Sequence, residues 1–193
     1  QRDLKFVIGY SSVSHMGYVL MGIGSMTVVG MNGAVLQMFS HGVMTALFFA
    51  MVGVIYERAH TREISAFSGM AKVMPRFSII FIIAGLASLG LPGLSGFAAE
   101  FLVFAGTFQT APWLAVLGII GVAITATYIL RLVAGMFFGP VTEKWQNLTD
   151  ANLRETSVGV MLVAMLLLFG LYPQLMVGSI DVSVIPLLAN VGG

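Results

Sequence analysis

Five apolar stretches, each long enough to cross about 30 Å of hydrocarbon, follow one another along this chain of 193 residues. They run from about Phe6 to Thr27, Asn32 to Tyr56, Phe77 to Gln109, Trp113 to Phe138 and Thr156 to Val177. Such a succession leaves little choice of fold, because in lipid every backbone N–H and C=O must be satisfied internally. The expected class is all-α, a polytopic membrane helix bundle of about five transmembrane helices, with residues 1–193 forming a single membrane domain. Charged residues are only 9% of the chain, against about 25% in soluble domains, so a soluble surface cannot be built. A net charge of +1 argues against a nucleic-acid partner. The absence of cysteine excludes disulfides, iron–sulfur ligation, thiolate metal sites and cysteine catalysis. No Walker motif is present, so ATP-driven transport by this chain is excluded as well. The opening carries no signal-peptide pattern, and Gln1 at the start leads us to expect a processed chain or a portion of a longer one.

The third stretch is too long for one ordinary span, and Leu91-Pro92-Gly93-Leu94-Ser95-Gly96 lies in its middle. Proline removes a backbone donor and glycine tolerates unwound backbone, so the third helix is expected to be discontinuous at Pro92. A break at membrane depth survives where the freed backbone groups face protein or a wet cavity, as in ion paths built from discontinuous helices. The plainer alternative is a kinked helix without a special role.

Basic residues alternate between links. Arg2 and Lys5 precede the first span, Arg58, Arg62, Lys72 and Arg76 lie between the second and third, and Lys144 and Arg154 between the fourth and fifth. The other links have none, and the tail after the fifth span holds only Asp181 among charged residues. The positive-inside rule then puts the start of the chain inside and the C-terminus on the outer side. Arg131 is the one basic residue within a span, about two turns from its inner end, able to snorkel or to enter the bundle. Thr149 or Asp150 is expected to cap the fifth helix, with Leu153 toward apolar groups and Arg154-Glu155 toward water.

What remains at membrane depth is His15 in the first span, His41 in the second and Glu100 just past the break in the third. Burying ionisable groups is costly unless they are paired or hydrated, which makes them functional-site candidates. Spans joined by short links pack side by side, so the three can form a lateral row near the bilayer midplane. Ser11, Ser12, Ser14, Gln37 and Ser40 supply polar surroundings, and Gly17, Gly33, Gly42 and Gly96 permit close helix approach. Histidine titrates near neutral pH and can donate and accept at once, so the chemistry indicated is proton relay through His15, His41 and Glu100. Interhelical hydrogen-bond glue is the alternative. Metal binding is weaker, because the histidines are far apart in sequence with no HxxxH or HxH spacing. The 13 methionines read as adaptable packing, and His60 as a solvated residue of a salt-bridged turn.

These residues resemble a known family. Asp3-Leu4-Lys5 with Tyr10-Ser11-Ser12-Val13-Ser14-His15-Met16-Gly17 looks like the opening of a late helix in the antiporter-like membrane subunits of respiratory complex I. Gln37-Met38-Phe39-Ser40-His41-Gly42 is similar to the next helix, and Tyr56-Glu57-Arg58-Ala59-His60-Thr61-Arg62 to the loop after it. Leu91-Pro92-Gly93, Gly96-Phe97 and Glu100-Phe101 are similar to the family's broken helix. Glu100, where the sister L type usually has lysine, points to the chain M type; Phe6 departs from a basic residue common in the family.

The resemblance implies about fourteen helices in two inverted five-helix repeats, of which this chain matches roughly the last five, without the first repeat and its paired Glu and Lys. It also implies a proton-translocating subunit of an NADH:quinone oxidoreductase, an enzyme subunit that carries no redox centre itself. His15, His41 and Glu100 would lie on its proton-relay axis, with Lys5 and Arg131 as secondary candidates, and Glu100 linking to a neighbouring antiporter-like subunit. No cofactor is expected in this chain; NADH, FMN, iron–sulfur clusters and quinone are expected in partner subunits. The expected partners are other membrane subunits of complex I, lipid and protons, in a bacterial plasma membrane or another energy-transducing membrane. A subunit of a multi-subunit cation/proton antiporter is the alternative, and a structural membrane scaffold a third reading.

Overall fold

The computed structural model describes residues 1–191, and it is a helix bundle with no strand among them. Its helices are α1 (Leu4–Gly24), α2 (Val28–Ala59), α3 (Met70–Val73), α4 (Pro75–Ser88), α5 (Ser95–Thr110), α6 (Pro112–Phe137), α7 (Leu153–Leu171) and α8 (Gln174–Val191). Four of them, α1, α2, α6 and α7, are long and apolar enough to cross a membrane singly. The expected third span is delivered in two pieces, α4 and α5, separated by the interruption foreseen around Pro92.

Local chemistry sets the ends. The Asp3 carboxylate accepts from the backbone N–H of Lys5 at 2.7 Å and the Thr27 hydroxyl from that of Gly30 at 3.0 Å, capping α1 and α2. Pro75 and Pro112 occupy the first helical positions of α4 and α6, where the missing N–H costs nothing. Three expectations are corrected at the α7 end of the chain. The cap of α7 is Asn152, in a reciprocal capping box with Glu155, and not Thr149 or Asp150. Asp150 instead caps α4 from across the bundle, accepting from the N–H groups of Arg76 at 2.9 Å and Phe77 at 3.1 Å. Leu153 is 82% exposed, whereas Glu155 turns inward to pair with Arg58. The fifth span also stops sooner than its apolar run does. Pro173 pushes Tyr172 out of helical geometry, and what reads as a tail continues as a separate helix, α8.

α2 is the central element and packs against α1, α4, α5, α7 and α8. Its close approach to α1 and α5 depends on missing side chains. A Cβ on Gly22 would lie 2.6 Å from the Gly30 carbonyl oxygen, and one on Gly33 would lie 2.5 Å from the Val103 nitrogen. Gly96 likewise sits against the Ala87 carbonyl, but Gly17 and Gly42 face open space on the outer sides of α1 and α2 and mediate no contact here. The core fills with aromatic and flexible side chains: Phe48, Phe77, Phe81 and Phe137 interlock at 5.2–5.8 Å, with Met44, Met51, Met70, Met74 and Met136 in the gaps.

The start of α1, the end of α2, the start of α4, the end of α6 and the start of α7 meet at one end of the bundle. That end gathers the basic loop residues and is the basic end. Leu4 donates to the Arg62 carbonyl at 3.0 Å, Ile64 to that of Arg2 at 2.8 Å, and Arg62 pairs with Asp3 at 3.4 Å. His60 closes α2 there in left-handed geometry and is exposed. Arg58 ties the end of α2 to the start of α7 and to the loop before it. Its guanidinium donates to the carbonyls of Val54 and Thr149 at 2.8 Å, to that of Asp150 at 3.3 Å and to both oxygens of Glu155, the nearer at 2.7 Å. At the opposite end the Asn32 amide donates to Asp181 at 2.6 Å, and Ile180 and Val184 join Leu36 and Ala99 in a small buried cluster that seats α8 on α2 and α5.

Truncating Arg58 orphans two loop carbonyls and a partly buried carboxylate together. Arg58→Ala is expected to destabilise the bundle by about 2–3 kcal/mol, the scale of losing a charge-assisted hydrogen-bonded group. Arg58→Lys should recover less than half of it, because an ammonium cannot span a carboxylate and two carbonyls at once. Apparent melting temperatures in detergent check both; equal stability of Arg58→Lys and the parent would refute the account.

Candidate functional site

The site begins with how α4 ends. Gly90 adopts φ +72°, the Gly90 N–H donates to the Ala87 carbonyl at 3.3 Å and the Leu91 N–H to the Leu86 carbonyl at 3.0 Å. This is a Schellman turn, which glycine makes without steric cost. The carbonyl of Ser88 is left over. In a continuing helix its donor would be residue 92, but that residue is Pro92, which has no N–H.

His15 supplies the missing donor. Its Nε2 lies 3.1 Å from the Ser88 carbonyl oxygen, and since a carbonyl only accepts, Nε2 carries the hydrogen. Nδ1 of the neutral ring is then an acceptor, buried and with no protein partner. Glu100, in the second turn of α5, brings Oε1 to 3.8 Å from the same Nε2. Gly90 makes room for it, since a Cβ there would stand 2.6 Å from Glu100 Oε2. The His41 ring, half-buried on α2, is tilted 48° to that of His15 with centroids 5.1 Å apart, and its Nδ1 is also buried without a partner. One residue before it, the Ser40 hydroxyl meets that of Ser95 at 2.7 Å, fixing α5's first turn against α2.

His15, His41 and Glu100 thus stand together at the interruption. His15 and Glu100 are only 2% and 5% exposed, so a net charge on either would be dearly bought without its partner. At 3.8 Å a His15 imidazolium and a Glu100 carboxylate attract by roughly 4 kcal/mol at an effective dielectric of 20. A proton arriving at one group therefore alters the other. Gln37, one turn along α2 from His41, is buried with its carbonyl oxygen unpaired. No cluster of three or more side chains suited to hold a metal ion forms among the described residues.

The two secondary candidates are elsewhere. Lys5 is exposed and lies ten residues before His15 on α1, about 15 Å toward the basic end. Arg131 is exposed on α6 and lines a cleft between α6 and α1. Sequence reasoning passed over Tyr18, whose ring stands edge-on to His15 at 6.2 Å. Its spacing of three residues from His15, one helical face, was the available signal. It also passed over Gly90, whose role shows only once Glu100 is seen against it.

A polytopic bundle with buried protonatable side chains gathered at a broken helix defines a class, the helical membrane proteins with a discontinuous span. Within that class, the chain belongs to the NADH:quinone oxidoreductase/Mrp antiporter transmembrane family, whose family model matches residues 1–125. It is 45% identical over 191 residues to NADH-quinone oxidoreductase subunit M of Rhodobacter capsulatus, covering 98% of this chain and 37% of that relative. Among solved structures it is similar to a chain of respiratory complex I from Thermus thermophilus with bound NADH, at TM-score 0.88 and 33% identity, covering 97% of this chain and 39% of that one. A chain of the Mrp complex from Dietzia shares the fold at TM-score 0.83 and 18% identity, covering 92% of this chain and 41% of that one. The chain spans little more than a third of the length of these relatives.

Gly90→Ala puts a side chain where φ is positive and the Glu100 carboxylate already sits. A left-handed conformation costs a non-glycine residue about 1–2 kcal/mol before any clash is counted. The variant is expected to melt several degrees lower than the parent; Gly93→Ala, also at positive φ (+95°) but with an added Cβ that meets nothing closer than 3.9 Å, carries the backbone cost without the clash and is expected to lose less. Thermal scans of the two variants side by side decide it.

Proposed function

We propose that this chain acts as part of a proton-translocating membrane subunit of an NADH:quinone oxidoreductase, relaying protons through His15, Glu100 and His41 while electron transfer proceeds in partner subunits. The observation that carries it is the His15–Glu100–His41 cluster at the break. A proton taken up at His15 Nδ1 makes an imidazolium beside the Glu100 carboxylate. A small swing of the ring off the Ser88 carbonyl lets Nε2 deliver its proton to Oε1, leaving His15 neutral with its hydrogen on Nδ1; loss of that proton and return of one to Nε2 resets the Ser88 bond. His41, in ring contact with His15, offers the lateral branch of the same path. On this reading NADH, FMN, iron–sulfur clusters and quinone belong to partner subunits, with other antiporter-like subunits as membrane neighbours. Residues 1–193 then correspond to the second half of the antiporter-like fold, an incomplete repeat plus the final helix, and the chain's span of 37% of its relative's length is in keeping with a portion of that size.

The orientation belongs to the same proposal. The basic end faces the inside of an energy-transducing membrane, by the positive-inside rule. The C-terminus lies on the outer side by the same rule, since the stretch after α7 carries no Lys or Arg.

Glu100→Gln in the assembled complex is expected to cut NADH-driven proton pumping at least tenfold while leaving NADH oxidation by a soluble acceptor unchanged. Acid uptake into inside-out vesicles is the readout, and pumping at the parent rate would sink the assignment. A second reading, a subunit of a cation/proton antiporter, is favoured by the shared fold with the Mrp complex chain. Co-purification separates the two: flavin and iron–sulfur subunits accompany the chain on the first reading and are absent on the second.

A further inference from the structure

α1 and α2 meet the break before Glu100 through side chains, His15 on the Ser88 carbonyl and Ser40 on the Ser95 hydroxyl. A further contact comes from α7 and is made by a residue without a side chain, Gly170. A Cβ on Gly170 would fall on the Gly93 carbonyl oxygen and stand 2.5 Å from both Cα and the carbonyl carbon of Leu94. Those atoms are backbone, in the last two residues before α5 begins at Ser95. Backbone cannot turn aside as the end of a side chain can. The other tightly packed glycine of α7 differs in this respect. The nearest atoms to a Cβ on Gly159 all belong to the Ile80 side chain, with Cδ1 at 2.8 Å.

α7 is not free to recede from this contact. Its first turn is held to α2 by the Arg58–Glu155 pair at 2.7 Å. Past its last residue only Tyr172 and Pro173 intervene before α8 begins, so the joint has no slack. α8 in turn is anchored on α2 and α5, by Asn32 donating to Asp181 at 2.6 Å and by Ile180 and Val184 beside Leu36 and Ala99. Between the two anchors Leu166 is fully buried, and Phe169 meets Phe39 of α2 edge-on at 4.9 Å. The residues at 89–94 lie outside both α4 and α5, and they are the compliant side of the contact.

We propose that α7 is a fixed stop for the break, and that Gly170 is a positioning residue that sets where α5 restarts and hence how far Glu100 stands from His15. The proposal rests on the proton-relay reading above. Leu94 is the N-cap of α5 and Glu100 lies six residues on in the same helix, so a shift at Leu94 is carried to the carboxylate. Carbon atoms in ordinary contact are about 3.5–4.0 Å apart, so a methyl group at position 170 must part the two backbones by about 1 Å. At the present 3.8 Å, a change of about 1 Å alters the attraction between a His15 imidazolium and a Glu100 carboxylate by about a fifth. Proton transfer is more sensitive still, because misplacement of about 1 Å can slow a reaction on the order of a hundredfold.

The test is made in the assembled complex. The Glu100 carboxyl band, assigned in isotope-edited infrared spectra by its loss in Glu100→Gln, is titrated against pH. In Gly170→Ala its midpoint is expected to move by about half a pH unit, and NADH-driven pumping to fall about tenfold. Gly159→Ala crowds α7 eleven residues earlier, about 16 Å away, against a side chain alone. That variant should melt lower than the parent with the midpoint unmoved. A parent-like midpoint and pumping rate in Gly170→Ala overturn the proposal. An equal shift in Gly159→Ala also overturns it, since the effect is then a general loosening of α7.

If Gly170→Ala does not assemble, Asp181→Ala decides, because it frees α8 from Asn32 without crowding anything. Asp181→Asn keeps an acceptor for the Asn32 amide and controls for the lost charge. A midpoint that moves in Asp181→Ala but not in Asp181→Asn supports the stop; the same midpoint in both overturns it. Pumping by Glu100→Gln separates this proposal from the relay. If that variant is inactive while Gly170→Ala behaves as the parent, the relay stands and the stop fails; if it pumps normally, the relay itself fails.

Discussion

A backbone carbonyl inside a membrane must find a donor, and in this bundle the carbonyl of Ser88 finds it on His15. Everything notable about the site follows from that exchange. Pro92 removes the intrahelical donor, Gly90 turns the chain out of α4 in a Schellman motif, and α5 restarts at Ser95. The restart sets Glu100 on the second turn of the new helix, and the bare Cα of Gly90 admits its carboxylate. An uninterrupted helix would have satisfied its own carbonyl and left His15 without an acceptor. The break and the relay cluster are therefore one feature.

Holding such a break in place requires rigid surroundings on both sides. Toward the basic end, Arg58 binds α2 to the loop before α7, and Asp150 of that loop caps α4. The start of α4 is thereby tied to α2 and α7 through charge-assisted hydrogen bonds. Toward the other end, α1, α2 and α5 meet at Gly22, Gly30, Gly33 and Gly106, where backbones approach more closely than any side chain would allow. Between these two clamps the residues at 89–94 carry the only departure from helix within the third span. There His15 answers the freed Ser88 carbonyl, while Nδ1 of His15 and of His41 stay buried without a protein partner.

Much of this was legible in the chain itself. The spans came from length and apolarity, and the interruption from proline and glycine in a stretch too long for one crossing. His15, His41 and Glu100 stood out because ionisable residues at membrane depth are few. What misled was local chemistry at helix ends. Asp150 is a good cap by type, but it serves α4 from 73 residues away, while Asn152 and Glu155 close their own box. α8 went unread because an apolar run of 22 residues, Thr156 to Val177, that continues past Pro173 looks like one complete span with a tail. Gly17 and Gly42 look like packing glycines, yet face outward; which face of a helix is covered depends on neighbours that sequence does not order.

The sequence by itself determined the membrane class, the broken third span and the identity of the protonatable residues, because the bilayer penalises charge and unpaired backbone wherever they occur. The tertiary structure alone decided that Nε2 of His15 answers the carbonyl Pro92 leaves open, that Gly90 houses Glu100, and that the His41 ring stands against that of His15. Those are contacts between separate helices. Composition fixes which groups need a partner; only the packing of one helix against another fixes which partner each receives.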